Sequence, residues 1–217
     1  MANSKTLAAY QAIKEMLITG ALPPNLPISE EALLLALNMS RTPVREAIQM
    51  LTRERFFEVY PRKGIVVTDI TLDLLNEIYD FRVINEPYIA QMACGKISDS
   101  VLESMRDKFC NPPSGNPEEK RKYLINLDSL LHATLLDCCP NRFLVDIMKT
   151  VLAHDARIKH FSYDETKNDS VSVPEHIDII DSLLAHDAEK IRESVLFHVN
   201  SSREMVVSSI LSKFIGG

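Results

Sequence analysis

Asp128 and His132 stand four residues apart on a stretch whose apolar positions, Leu124, Leu127, Leu131 and Leu135, recur at helical spacing. Both ionisable side chains therefore share one face of a helix with that apolar stripe. His176 falls among Val173, Ile177 and Ile180, and His198 among Val195, Ser202, Met205 and Val206. All four are predicted to point inward, on three separate helices. A buried carboxylate and buried imidazoles are costly unless they pair or coordinate an ion. One oxygen and three neutral ring nitrogens suit Zn²⁺, Ni²⁺ or Mn²⁺. For any single histidine of the set, a hydrogen-bonded place in the core is the simpler reading; it is the set of four that argues for an ion.

A second group of residues fits a different chemistry. Residues 40–48, SRTPVREAI, combine small hydroxyl residues, a helix-starting proline and two arginines. A helix reads bases when its first turns enter the major groove, where hydroxyls and the helix N-terminus meet phosphate and arginine reaches guanine edges. Ser40 and Thr42 can donate to phosphate, Arg41 can pair with phosphate or a base, and Arg45 projects one turn further on the same face. Val44, Ile48 and Leu51 form the opposite, buried stripe. Arg62, Lys63 and Gly64 form a turn beside the groove, with Gly64 allowing close backbone approach. Spacing alone leaves open a capped helix whose arginines are merely solvated.

The elements that must position these residues follow from periodicity and punctuation. A first amphipathic helix runs from about Thr6 to Thr19 and is stopped by Gly20, Pro23, Pro24 and Pro27. Ser29 caps a short second helix carrying Glu30 and Glu31 in its first turn. Ser40 or Thr42 caps a third, with Pro43 at its first position. Two short helices joined by a tight turn make a helix-turn-helix. Phe57 and Val59, then Ile65, Val66 and Val67, flank the turn at 61–64 and predict a β-hairpin wing. From Thr71, a cap, only helical periodicity remains, in six segments near 72–94, 98–110, 117–137, 141–161, 172–185 and 188–213. The predicted architecture is mainly α: a winged helix-turn-helix over residues 1–70, then an all-α antiparallel bundle over 71–217.

Composition agrees. The 217 residues are 46% hydrophobic, enough for packed cores, and the net charge of −6 excludes a protein that coats nucleic acid by charge alone. Residues 1–67 nevertheless hold eight bases against six acids, a surplus of +2 that leaves −8 on the remainder. A weakly basic head on an acidic body permits DNA contact confined to one end. Cys94, Cys110, Cys138 and Cys139 show no CxxC spacing and read as reduced structural thiols. With no apolar run long enough for a membrane span and no secretory h-region, a cytoplasmic location is expected.

The string Ser-Arg-Thr-Pro-Val-Arg-Glu-Ala, set within ISEEALLLALNMSRTPVREAIQML and followed by YPRKGIVV, resembles the GntR family of bacterial regulators over about residues 7 to 70. Two positions depart from that pattern: Asn25 after Pro24, and Arg55 before the wing, each where the family usually has glycine. Asn tolerates left-handed backbone well. DSLLH, PEH and FHV at 128–132, 174–176 and 197–199 resemble the metal-binding subgroup of the FCD domain, the helical sensor of the FadR-type branch. Leu131 stands where Phe is usual. Arg82 and Glu86 in FRVINEP and Asn141 in CPNRF match common positions of that domain, and six helices rather than seven lean towards the VanR-type subgroup. His154, His160 and His186 match none of the pattern and are expected on the surface or in loops.

The resemblance implies a homodimeric transcription factor, usually a repressor, that binds a double-stranded DNA operator and whose helical domain senses a ligand and dimerises. It implies a divalent ion held by Asp128, His132, His176 and His198, with open positions for a small organic acid effector, and Arg82 and Asn141 as effector contacts. Two alternatives remain: a metal-dependent enzyme using the same four residues, or a regulator whose ion is structural or is itself the signal. Against the enzyme, the sequence has no HExxH, no phosphate-cradling glycine loop, no nucleophile elbow and no general base beside the four residues.

Overall fold

The first helix, α1 (Ser4–Ile18), buries Ala9, Ile13 and Leu17 along one face, and the third, α3 (Arg41–Arg53), answers with Val44, Ala47, Ile48 and Leu51. The computed structural model describes residues 4–60, 64–162 and 172–215. Between these helices lie a two-residue strand β1 (Pro27–Ile28) and the short α2 (Glu30–Leu37). Ser29 caps α2 as its sequence predicts, accepting from the Ala32 amide at 3.1 Å. At α3, Ser40 is the N-cap but makes no side-chain capping bond, and Pro43 is the third helical residue rather than the first. It is tolerated there because amides of the first turn have no intrahelical acceptor to lose.

The hairpin of β2 (Phe57–Tyr60) and β3 (Gly64–Val67) forms as expected, with Phe57 opposite Val67 and Tyr60 opposite Gly64. The sheet has a third strand that periodicity did not disclose. β1 pairs antiparallel with β3, giving the order β1-β3-β2. Both positions where glycine is usual lie in the left-handed region, Asn25 at φ +62° and Arg55 at φ +65°. Asn25 thereby turns the chain so that its amide reaches the Val67 carbonyl at 3.0 Å. The Arg55 carbonyl accepts from Thr68 Oγ1 at 2.9 Å, which fixes the turn before the wing. A non-glycine residue costs about 1–2 kcal/mol in this conformation, and glycine returns roughly 0.4–1 kcal/mol through unfolded-state entropy. Arg55→Gly is therefore expected to stabilise the chain by about 0.5–1 kcal/mol, read as a higher urea midpoint. A lower midpoint would mean that the arginine side chain contributes more than its backbone costs.

The remaining helices are α4 (Leu72–Ala93), α5 (Asp99–Cys110), α6 (Pro117–Asp137), α7 (Arg142–Ser162), α8 (Ser172–Leu184) and α9 (Ala188–Ile215), close to the six predicted segments. Thr71 caps α4 through its hydroxyl, which accepts from the Leu74 amide. Two compact units result. One comprises Met1–Leu75 together with Leu152–Ser162, the other Asn76–Val151 and Tyr163–Gly217. The second half of α7 packs with the N-terminal residues in the first unit. His154 is buried there, a correction to its expected surface position: its ring lies flat on Phe56, centroids 3.9 Å apart, and Nε2 donates to the Glu54 carbonyl at 2.8 Å. Arg157, also buried, donates to the hydroxyl and carbonyl of Thr68. His160 and His186 are exposed, as expected.

Candidate nucleic-acid interface and metal centre

In the first unit, α3 turns its apolar stripe inward and leaves Ser40, Thr42, Arg41 and Arg45 exposed. The two arginine side chains, 57% and 58% exposed, converge on one carboxylate of α2: Arg41 Nε lies 3.1 Å from Glu30 Oε1 and Arg45 Nε 2.7 Å from Glu30 Oε2. Exposed pairs of this kind contribute only about 0–1 kcal/mol, so they orient the arginines without withholding them from a phosphate or base. Gly64 is exposed at φ +80°, a conformation that favours glycine. Arg62 and Lys63 lie outside the described residues.

In the second unit, α6, α8 and α9 bring together the four residues singled out by pattern. Three Nε2 atoms converge on a single carboxylate oxygen, Asp128 Oδ1: His176 at 2.6 Å, His132 at 3.3 Å and His198 at 3.9 Å. The three imidazoles are buried, and one ligand atom from each of the four residues lies within 4.8 Å of all the others. Donors around a single ion at about 2 Å stand roughly 3–4 Å apart, so the set is drawn together to near coordination spacing. Nε2 of His132 and Nε2 of His198 are buried without a hydrogen-bond partner. An ion between them is the plainest way to satisfy both.

The surroundings of the four were not anticipated. Glu86 on α4 lies with Oε2 2.9 Å from His132 Nδ1, and its Oε1 accepts from Arg82 Nε at 2.5 Å. Glu175 on α8 holds His198 Nδ1 at 2.9 Å. His176 instead stacks on Phe109 of α5, centroids 4.8 Å apart. With neutral imidazoles, Asp128, Glu86, Glu175 and Arg82 sum to −2, the charge a divalent cation cancels. Burial alone would lower the pKa of His132, but the Glu86 and Asp128 carboxylates outweigh it and raise it to about 9. For His198 burial prevails, aided by the neighbouring imidazoles and opposed by Glu175, and lowers it to about 4. Burial would raise Glu86, yet Arg82 and His132 hold it well below the usual carboxylate range.

Arg82 is thus fully buried and committed to Glu86, with its guanidinium 4.9 Å from the Tyr79 ring centroid. Asn141 is exposed and caps α7, its side chain accepting from the Leu144 amide at 3.2 Å. All four cysteines are free thiols. Glu86 and Glu175 stood in FRVINEP and PEH without an assigned role; Glu175 adjoins His176, which corrects the expectation that no general base lies beside the four residues.

The family pattern for bacterial regulatory proteins of the gntR family matches residues 5–67, and that for the FCD domain matches residues 77–201. The chain belongs to the GntR family and carries an FCD domain. This GntR-family regulator is 25% identical over 203 residues to the uncharacterized HTH-type transcriptional regulator YdhC of Bacillus subtilis, covering 91% of this chain and 89% of the relative. It is 21% identical to the HTH-type transcriptional repressor RspR of Escherichia coli, covering 91% and 86%. In fold it is similar to E. coli McbR/YncC, with a TM-score of 0.80, 20% identity and coverage of 96% and 99%. A GntR regulator from Rhodococcus sp. RHA1 gives 0.76 at 20% identity, covering 95% and 99%. No helix among the described residues of this transcriptional regulator is long and apolar enough to cross a membrane.

Proposed function

We propose that the chain is a cytoplasmic, homodimeric repressor whose affinity for its operator is set by a small organic acid bound at a divalent metal ion in the FCD domain, and that it has no catalytic role. The observation that carries this reading is the convergence of three imidazole Nε2 atoms on Asp128 Oδ1, in a chain whose α3 presents Arg41 and Arg45 outward. Asp128, His132, His176 and His198 would hold the ion, which when bound supplies Lewis-acid positions for a carboxylate. Arg82 supplies a buried positive charge one carboxylate removed from His132, and an effector reaching it competes with Glu86. Binding there changes the spacing of two winged helices on operator half-sites.

The test is a titration of Zn²⁺, Ni²⁺ and Mn²⁺ into metal-stripped protein, followed by operator affinity and by melting temperature, then repeated with a panel of organic acids. Operator affinity that moves with an acid only in the metal-loaded protein supports the proposal. A melting temperature that rises while operator affinity never changes assigns the ion a structural role instead. On the DNA side, Arg45→Ala is expected to weaken specific binding by about 1–3 kcal/mol and to relax the preference at one base pair, with melting unchanged. Equal weakening on every sequence would make Arg45 a phosphate contact.

A further inference from the structure

A neutral imidazole carries one proton, and the hydrogen bond made by one ring nitrogen decides which nitrogen is left bare. At His198 that choice is already made. Nδ1 lies 2.9 Å from Glu175 Oε2, and a carboxylate only accepts, so the proton sits on Nδ1 and Nε2 presents a lone pair. That lone pair faces Asp128 Oδ1 at 3.9 Å with no hydrogen bond between them, an opposition of two acceptors that a cation would resolve.

We propose that Glu175 is the positioning residue of the metal centre, fixing His198 in the tautomer that can ligate. The proposal rests on the metal-centre reading above. Ser201 follows His198 by three residues and so shares its face of α9. Its hydroxyl donates to Glu175 Oε1 at 2.6 Å. One carboxylate on α8 therefore grips both the ring and the hydroxyl of α9, and its own orientation is set by the second of these bonds. Neither of the other two imidazoles has a carboxylate to itself at Nδ1. His176 has no partner at Nδ1, and its Nε2 at 2.6 Å from Asp128 is placed to donate, so it exchanges tautomer when an ion enters. At His132 Nδ1, Glu86 Oε2 stands at the same 2.9 Å, but Glu86 is shared with the buried Arg82 and so is not given to that ring alone.

The test uses the full-length chain with Glu175→Gln and Ser201→Ala. Two-bond ¹⁵N correlation spectra of the metal-free protein are expected to show His198 protonated at Nδ1, and this signature is expected to be lost or mixed in Glu175→Gln, whose amide can donate to Nδ1. Zn²⁺ affinity, read by chelator competition, is expected to fall about 10- to 100-fold in Glu175→Gln and by less in Ser201→Ala. Unchanged Zn²⁺ affinity in both variants, or a lowered melting temperature with unchanged affinity, would overturn the proposal and leave Glu175 as a tie between helices. If Glu175→Gln does not fold, Ser201→Ala decides by the same two measurements. If the unaltered chain takes up no Zn²⁺, the metal-centre reading fails, and a His198 spectrum showing Nε2 protonation overturns the tautomer assignment independently.

Discussion

The His176→Ala protein is expected to bind Zn²⁺ several hundred-fold more weakly than the unaltered chain while still binding its operator. Four-ligand zinc sites bind with about 10–16 kcal/mol of apparent free energy at neutral pH, so an equal share for one ligand is about 2.5–4 kcal/mol. On the metal-centre reading, His176 is the residue whose loss isolates this effect most cleanly: it makes the shortest approach to Asp128, at 2.6 Å, and its other nitrogen has no partner to orphan. Its removal also empties the space over Phe109, so the metal-free variant is expected to melt below the metal-free parent. The decisive comparison is the rise in melting temperature on adding Zn²⁺, large in the parent and much smaller in the variant at the same Zn²⁺ concentration. An unchanged rise would show that the ion sits elsewhere, and loss of operator binding in a folded variant would show that the two activities are not separable.

Acid is expected to destabilise the chain through His154. Its pKa is pushed down to about 4, first by burial and then by the cations of Arg157 and Lys14, with the Glu54 carbonyl opposing them. The unfolded ring titrates near 6.5, so between the two values the unfolded state binds the extra proton and stability is lost as pH falls. Above 6.5 the contribution is complete. It declines by about 2 kcal/mol at pH 5 and by about 3 kcal/mol below pH 4. His154→Phe keeps a ring on Phe56 but cannot take up the proton, so its urea midpoint should fall less than the parent's between pH 7 and pH 5. Parallel losses in the two proteins would place the acid sensitivity in other groups.

Much of this was legible because it is local. Ser29 and Thr71 start their helices through side-chain bonds to nearby amides, and such caps are readable wherever a hydroxyl precedes an apolar run. The clustering of Asp128, His132, His176 and His198 was legible because ionisable residues on apolar stripes are expensive unless they meet one another or an ion. What escaped was nonlocal. β1 is only two residues with no alternation of its own, and it exists because the edge of β3 offers partners at Ile65 and Val66. His154 failed to match the pattern that explained the other histidines, yet Val151, His154, Asp155 and Ile158 are buried at i, i+3, i+4 and i+7. That period was in the sequence; the partner surface, Phe56 and Thr68, was not.

The second half of α7 completes the winged-helix unit from more than seventy residues downstream. An N-terminal fragment ending near residue 70 would leave one face of Phe56 uncovered and the Thr68 carbonyl stripped of its guanidinium partner. Such a fragment is a poor surrogate for operator binding, and recombination that transplants the head alone onto a foreign sensor would have to supply a matching helical brace.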